Sequence, residues 1–288
     1  MAGVRMVAFS GGEPFLFQRE MLQLMGQAHA AGLSTGVVTN CYWASSRAST
    51  ERRLGKMVRL GLQEIIVSFD DYHARLVGLE RVRHVVQAAL GFGLVVGVNM
   101  LVTERSAIRA ESAKALLGVD GDPGSLWIRE SSPVAAGRAR RPSPGRITYG
   151  GEALRHNPCC FVIRNLVITP DAGVYACCGF GDASEKGPAS IAYLGQFEEA
   201  GLAELHRRAD HSAVLKVIEA AGPYRLLDLV RDAEPSIRTR DRFVSNCEVC
   251  AEISRNARLR SALARVLAEM AAAARQEESA DEGVPCGV

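Results

Sequence analysis

The chain has 288 residues, 48% of them hydrophobic and 23% charged, with a formal net charge of +2. That composition suits a globular protein with a sizeable core, and the small net charge does not by itself imply a polyanionic partner. No run of about eighteen apolar residues appears, which argues against a membrane span. The opening MAGVRMVAFSGGEP lacks a charged-then-apolar secretion leader.

The first half alternates short apolar runs with longer helical stretches. Residues 4–10 read as a strand ending in Gly11-Gly12, and residues 17–31 as a helix stopped by Gly32. Strands are expected at residues 33–39, 64–69, 94–102 and 125–130, and helices at residues 49–60, 79–90 and 106–117. Such βα alternation implies a parallel sheet with right-handed crossovers. A complete eight-fold barrel needs about 250 residues, so this half suits a partial one. Residues 131–146 hold three prolines, two glycines and four arginines, which marks a boundary. Those arginines, Arg138, Arg140, Arg141 and Arg146, suit either a solvated loop or contact with an acidic substrate. Beyond them, residues 162–168 and 173–176 flank a Pro170-Asp171 turn as a hairpin. Residues 198–220 and 254–275 read as helical, and residues 276–288 as a polar tail.

Eight cysteines stand in the chain, and six of them form three close pairs in the second half: Cys159/Cys160, Cys177/Cys178 and Cys247/Cys250. Without a secretion leader, such clusters read as metal ligands in a reducing cytoplasm rather than as disulfides. A hairpin flanked by two ligands and closed by a distant CxxC can gather four thiolates. By spacing alone, an iron–sulfur cluster and a tetrahedral zinc ion fit equally well. Cys41 has no nearby partner in sequence and reads as a small buried residue.

Gly11-Gly12-Glu13-Pro14 follows the first strand. Two glycines let a ligand approach the backbone, and Glu13 sets a carboxylate there suited to an ammonium group. VAFSGGEPFLF is similar to the second strand of radical S-adenosylmethionine (SAM) enzymes, where this motif holds the methionine amino group of SAM. Later segments follow in the same order: VVTNC at residues 37–41, IVSFDDYH at residues 66–73, Asn99, and PVAAGRA at residues 133–139. The resemblance implies that Gly11, Gly12 and Glu13 bind the methionyl end of SAM, with Ser68, Asp70 and Asn99 supporting its ribose and carboxylate. Ser68 and Asp70 also suit simple turn capping, Asn99 suits backbone satisfaction within its strand, and His73 reads as a surface or packing residue.

The cysteine-rich half resembles the SPASM or twitch auxiliary-cluster domain of these enzymes, with Ile168-Thr169-Pro170-Asp171-Ala172 as the turn and Ala172 where glycine is usual. Leu194-Gly195-Gln196-Phe197 resembles that domain's Gly-Asn segment. The resemblance favours one auxiliary [4Fe-4S] cluster among Cys159, Cys160, Cys177, Cys178, Cys247 and Cys250, with Cys160 and Cys177 preferred within their pairs.

The implied architecture is a partial (β/α)6 TIM-like barrel lacking its first unit (residues 1–140), a linker (residues 141–155) and a small α+β cysteine-rich domain (residues 156–275). The implied activity uses SAM to generate a 5′-deoxyadenosyl radical for modifying a ribosomally made peptide or protein, with ferredoxin or flavodoxin as electron donor. The CxxxCxxC loop that holds the radical-generating cluster occurs nowhere in the chain. The expectation is a shortened chain from a full-length parent, with a split enzyme or a degenerate relative as alternatives. A peptide-binding protein with a structural four-cysteine zinc or iron–sulfur site is the non-enzymatic alternative, and a nucleic-acid binder is the third reading.

Overall fold

The structure, a computed structural model, describes residues 3–134, 152–177 and 187–281. The described residues form two compact units that divide between Pro133 and Val134. Most of the arginine-rich segment, together with Cys178 and Cys286, lies outside the described residues.

The first unit is mixed α/β. Five strands, β1 (Met6–Phe9), β2 (Ser34–Thr39), β3 (Leu62–Ser68), β4 (Val95–Leu101) and β5 (Leu126–Ser131), pair in sequential order, and every pairing is parallel. The connections carry α1 (Gln18–Ala30), α2 (Arg47–Val58), a single turn α3 (Asp71–Ala74), α4 (Leu79–Gly91) and α5 (Ala110–Leu117). Sequential order with right-handed crossovers puts the helices on one face of the sheet. Residues two apart share a face, so Val37, Ile65, Val96 and Leu126 form one row against the helices, with Val67 and Val98 in the next. Met21 and Met25 of α1, Val82, Val85 and Val86 of α4, and Leu117 of α5 meet those rows in a continuous core. Each such side chain contributes roughly 1.5–3 kcal/mol on burial.

The opposite face carries Ala8, Gly36, Val38, Ile66, Gly97 and Trp127, and above them Ser68, Asn99 and Arg129. Ser68 and Asn99 are half-buried and Arg129 is exposed. Because all five strands are parallel, their C-terminal ends line one edge, where the Gly11-Gly12 loop and the segment after β3 also emerge. The outer edge of β1 has no strand partner among the described residues.

The second unit has its own core. Its small antiparallel sheet has the order β6 (Val167–Ile168), β7 (Gly173–Tyr175), β8 (Tyr193–Gln196). The expected hairpin forms about Pro170-Asp171. Ala172, standing where glycine was anticipated, takes the left-handed conformation at φ 59°. Helices α6 (Phe197–His211), α7 (Ala213–Ala221), α8 (Tyr224–Ala233), α9 (Asn246–Arg255) and α10 (Ala257–Asp281) complete the unit. The single helix expected over residues 198–220 is broken twice, by Gly201 at φ 69° within α6 and by Ser212, which leaves helical geometry and caps Leu215. The alanine-rich α10 continues into the expected tail, as strong helix formers allow. No helix among the described residues is long and apolar enough to cross a membrane.

Gly97 supplies a sharp test of the sheet's open face. A Cβ there would lie 2.2 Å from Cζ2 of Trp127 on the paired strand. Gly97→Ala should therefore destabilise the protein by about 1–3 kcal/mol, read as a lower urea midpoint. Gly91 in α4 faces open space, so Gly91→Ala should be neutral or stabilise by up to about 1 kcal/mol.

Candidate functional site

Gly11 and Gly12 are exposed, Gly11 has φ 101°, and a Cβ at either would meet nothing within 4 Å. The loop backbone is therefore open to a ligand. Glu13 is not: it is 8% exposed, and its carboxylate is turned inward. Oε1 accepts from the N–H of Phe15 at 3.2 Å and from the Thr39 hydroxyl at 2.8 Å, and Oε2 accepts from the N–H of Asn40 at 2.8 Å. Thr39 Oγ1 in turn accepts from the Cys41 N–H and from Trp43 Nε1. Phe15 stacks on Trp43 at 4.0 Å. The exits of β1 and β2 are thus tied into one block. Cys41 lies inside it, buried and at φ 66°. Burial, with the Glu13 charge beside it, pushes its thiol well up.

Ser68 and Asn99 are register partners on β3 and β4, and Asn99 pairs with Arg129 on β5. They form a polar row across three strands on the open face. Arg129 also lies over the Trp127 ring at 5.6 Å. Asp70 follows two residues after Ser68 and is fully buried. Its Oδ1 accepts from the N–H groups of Tyr72 and His73, its Oδ2 accepts from Leu101 N–H, and both oxygens lie 2.9 Å from His73 Nδ1. Burial pushes its carboxyl up, but the His73 and Leu101 hydrogen bonds outweigh that and leave it below its ordinary value. Asp71 adds bonds from Ala107 and Ile108 N–H. The two aspartates therefore pin the segment after β4 to the end of β3.

The second unit brings cysteines from three separate segments to one cavity. Cys159, Cys177, Cys247 and Cys250 line it, with walls from Val162, Ile191, Ala192, Leu215, Ile218 and Asn246. A hydrogen bond with the Cys177 thiol, against the opposing effect of burial, brings the Cys159 thiol down to about 6, helped by the N–H groups of Phe161 and Val162. These N–H groups belong to a tight turn in which Arg164 N–H reaches Val162 O, with Ile163 at φ 68°. Cys250 is pushed well up by burial and by its neighbours Cys247 and Cys159. Cys160, preferred over its neighbour from sequence, is exposed and does not line the cavity. As they stand, the described side chains form no group of three His, Cys, Asp or Glu ready to hold a metal ion.

Cys247 and Cys250 sit in the first turns of α9, capped by Ser245. Between them Glu248 is 4% exposed, accepting from Arg240 Nη1 at 2.9 Å and from Val244 N–H at 2.7 Å. Sequence reasoning passed over Glu248, Arg240, Trp127 and Arg129. A glutamate inside a CxxC and an arginine in the last strand were the available signals.

No protein-family model matches the chain. It is 23% identical over 120 residues to YydG of Bacillus subtilis (strain 168), a protein named for peptide biosynthesis. That match takes in 40% of this chain and 38% of YydG.

Removing either buried carboxylate partner should be felt. Asp70→Ala strips the acceptor from three N–H groups and should cost about 1–3 kcal/mol of stability, measured by urea unfolding. Because the folded carboxyl titrates below its ordinary value, its contribution is complete above the unfolded value and is lost as pH falls through the folded one. The stability gap between wild type and Asp70→Asn should accordingly shrink below about pH 4. Glu248→Ala should destabilise the second unit by a similar amount, about 1–3 kcal/mol, and lower its capacity for thiol-bound metal. Unchanged metal capacity would show that the Arg240–Glu248 pair does not position the cysteines.

Proposed function

We propose that this chain supplies the SAM-binding sheet and an auxiliary four-thiolate iron–sulfur centre of a radical SAM enzyme that modifies a peptide. The observation that carries the reading is the convergence of Cys159, Cys177, Cys247 and Cys250, from three segments far apart in sequence, on one cavity. Four thiols within apolar walls fit an iron–sulfur cluster, which cysteines bind four at a time. Cys159 replaces Cys160 in the ligand set. Cys178 lies outside the described residues.

On the sheet, the open Gly11-Gly12 backbone and the row of half-buried Ser68 and Asn99 with exposed Arg129 fit a small polar ligand at strand C-termini, where parallel α/β proteins bind theirs. The Gly11–Glu13 main-chain carbonyls would accept from the SAM ammonium, since the Glu13 carboxylate already holds three donors. Ser68 and Asn99 would hydrogen-bond the ribose or carboxylate, and Arg129 adds a cation for the carboxylate. Asp70 would act by positioning, because its oxygens hold the strand ends and His73. When bound beside a reduced cluster, SAM would supply a radical that takes hydrogen from a substrate, while the thiolates of this chain would hold only the auxiliary centre. The five strands would form part of an α/β barrel. The likeness to a peptide biosynthesis protein supports a peptide substrate.

The cysteine-lined cavity has a volume of only about 20 Å³, close to that of one water. That favours a second reading, a single tetrahedral zinc ion in a structural site of a peptide-binding protein. Anaerobic reconstitution with iron and sulfide decides between them. The proposed cluster gives a brown protein with broad visible absorbance, as thiolate-bound iron–sulfur centres do. The colour should be lost in Cys159→Ser or Cys250→Ser and kept in Cys160→Ser. A colourless protein that retains zinc stoichiometrically would favour the second reading.

A further inference from the structure

We infer that the groove between α1 and α2 is a docking site for a short acidic segment of a polypeptide. The inference rests on the proposed peptide-modifying role and deepens it by naming the chemistry of the segment recognised. The groove has a volume of about 620 Å³ and is lined by Gln18, Arg19, Leu22, Gln23, Lys56 and Leu60. The groove is shallow and open to solvent, which suits a polypeptide segment lying along it more than an enclosed small molecule.

The two charged side chains that line it, Arg19 and Lys56, are both cations. Some cations elsewhere are paired with acids, as Arg47 is with Glu51, Arg83 with Glu80, Lys114 with Asp122, and Arg207 and Arg208 with Glu204, while others, Arg5, Arg75 and Lys216 among them, are not paired among the described residues. Arg19 and Lys56 have no such acid among the described residues, and no carboxylate lines the groove. Arg52 and Arg59 stand one turn to either side of Lys56 in sequence, on the same helical face, and are likewise without an acid among the described residues. The only acid in α2, Glu51, is taken by Arg47. Gln18 and Arg19 occupy the first turn of α1, whose dipole adds positive potential there, partly offset by the exposed Glu20 of the same turn.

The polar groups around the groove suit a peptide. Arg53 Nη1 donates to Gln18 Oε1 at 3.1 Å, which fixes the amide and leaves its N–H₂ to donate to a carboxylate or carbonyl. Gln23 offers both a donor and an acceptor. Leu22 and Leu60 are half-buried, pack on the main core and give an apolar floor for aliphatic side chains. No aromatic residue lines the groove, so a nucleobase would find nothing to stack on.

The test is fluorescence anisotropy on the full chain. The probe is a short fluorescein-labelled peptide of alternating Glu and Leu turns, compared with its Glu→Gln counterpart and a single-stranded RNA of similar length. The acidic peptide should bind at least tenfold more tightly than either comparator, and binding should weaken with added salt. Arg19→Glu with Lys56→Glu should abolish it, and the milder Arg19→Gln with Lys56→Gln should weaken it several-fold. Arg83→Glu, at a cation that already has an acid, should leave it unchanged. Equal binding of the neutral peptide, tighter binding of RNA, or insensitivity to both groove variants overturns the inference. Reconstituting the thiol centre in the same variants separates the two readings. A normal cluster without acidic-peptide binding removes the groove alone, whereas peptide binding by a chain that forms no cluster removes the enzymatic role and keeps the groove.

Discussion

A buried carboxylate must find donors, because an ion taken out of water without them costs several kcal/mol. Three acids are buried among the described residues, Glu13, Asp70 and Glu248. Each finds donors on main-chain N–H groups of a loop, joined at Glu248 by the Arg240 guanidinium. Glu13 closes the Gly-Gly loop onto the end of β2, Asp70 closes the end of β3 onto β4, and Glu248 holds the turn that enters the CxxC helix. The charges therefore act as fasteners at the places where irregular backbone has to hold one shape. A loop offering its own backbone to a ligand must not reorganise, and a buried ionic anchor fixes it without filling the space above it.

The sheet supplies the other half of that arrangement. Sequential parallel order sends every strand the same way, so the fastened loops gather at one edge, and the helices leave the opposite face uncovered. That face is largely apolar until its last row, where Ser68, Asn99 and Arg129 stand side by side. Trp127 fills the space above Gly97, which explains why glycine stands at that point of β4. The indole then offers its face to Arg129, a contact that steadies the cation at the end of the row.

The alternation of strands and helices was legible because it depends on local periodicity. Residues 33–39 and Ser34–Thr39, or residues 79–90 and Leu79–Gly91, differ only at their ends. The choice between adjacent cysteines was not legible. Cys159 and Cys160 are chemically identical in sequence, and what separates them is a turn that directs two N–H groups onto Cys159, with Ile163 in a conformation its sequence does not announce. The direction of a carboxylate was equally hidden. Glu13 follows two exposed glycines and reads as a ligand group, yet Thr39 and Asn40, 26 and 27 residues later, draw it inward. The register row ending in Arg129 needed the pairing of β4 with β5, which no single segment encodes.

Buried acids and exposed cations are treated differently. Where an acid is buried, the chain gives it N–H groups or a cation of its own, as Arg240 does for Glu248. Some exposed cations have an i,i+3 or i,i+4 acid beside them, as Arg207 and Arg208 have Glu204. In the α1–α2 groove the cations share one surface with an apolar floor and lack an acid among the described residues. Solvation alone does not require the flanking positions of Lys56 to be arginine as well, since like charges one turn apart repel by about 0.2–0.5 kcal/mol for each pair. An acidic partner would relieve that repulsion, and the helix face bearing it would become favourable on docking instead of merely tolerated.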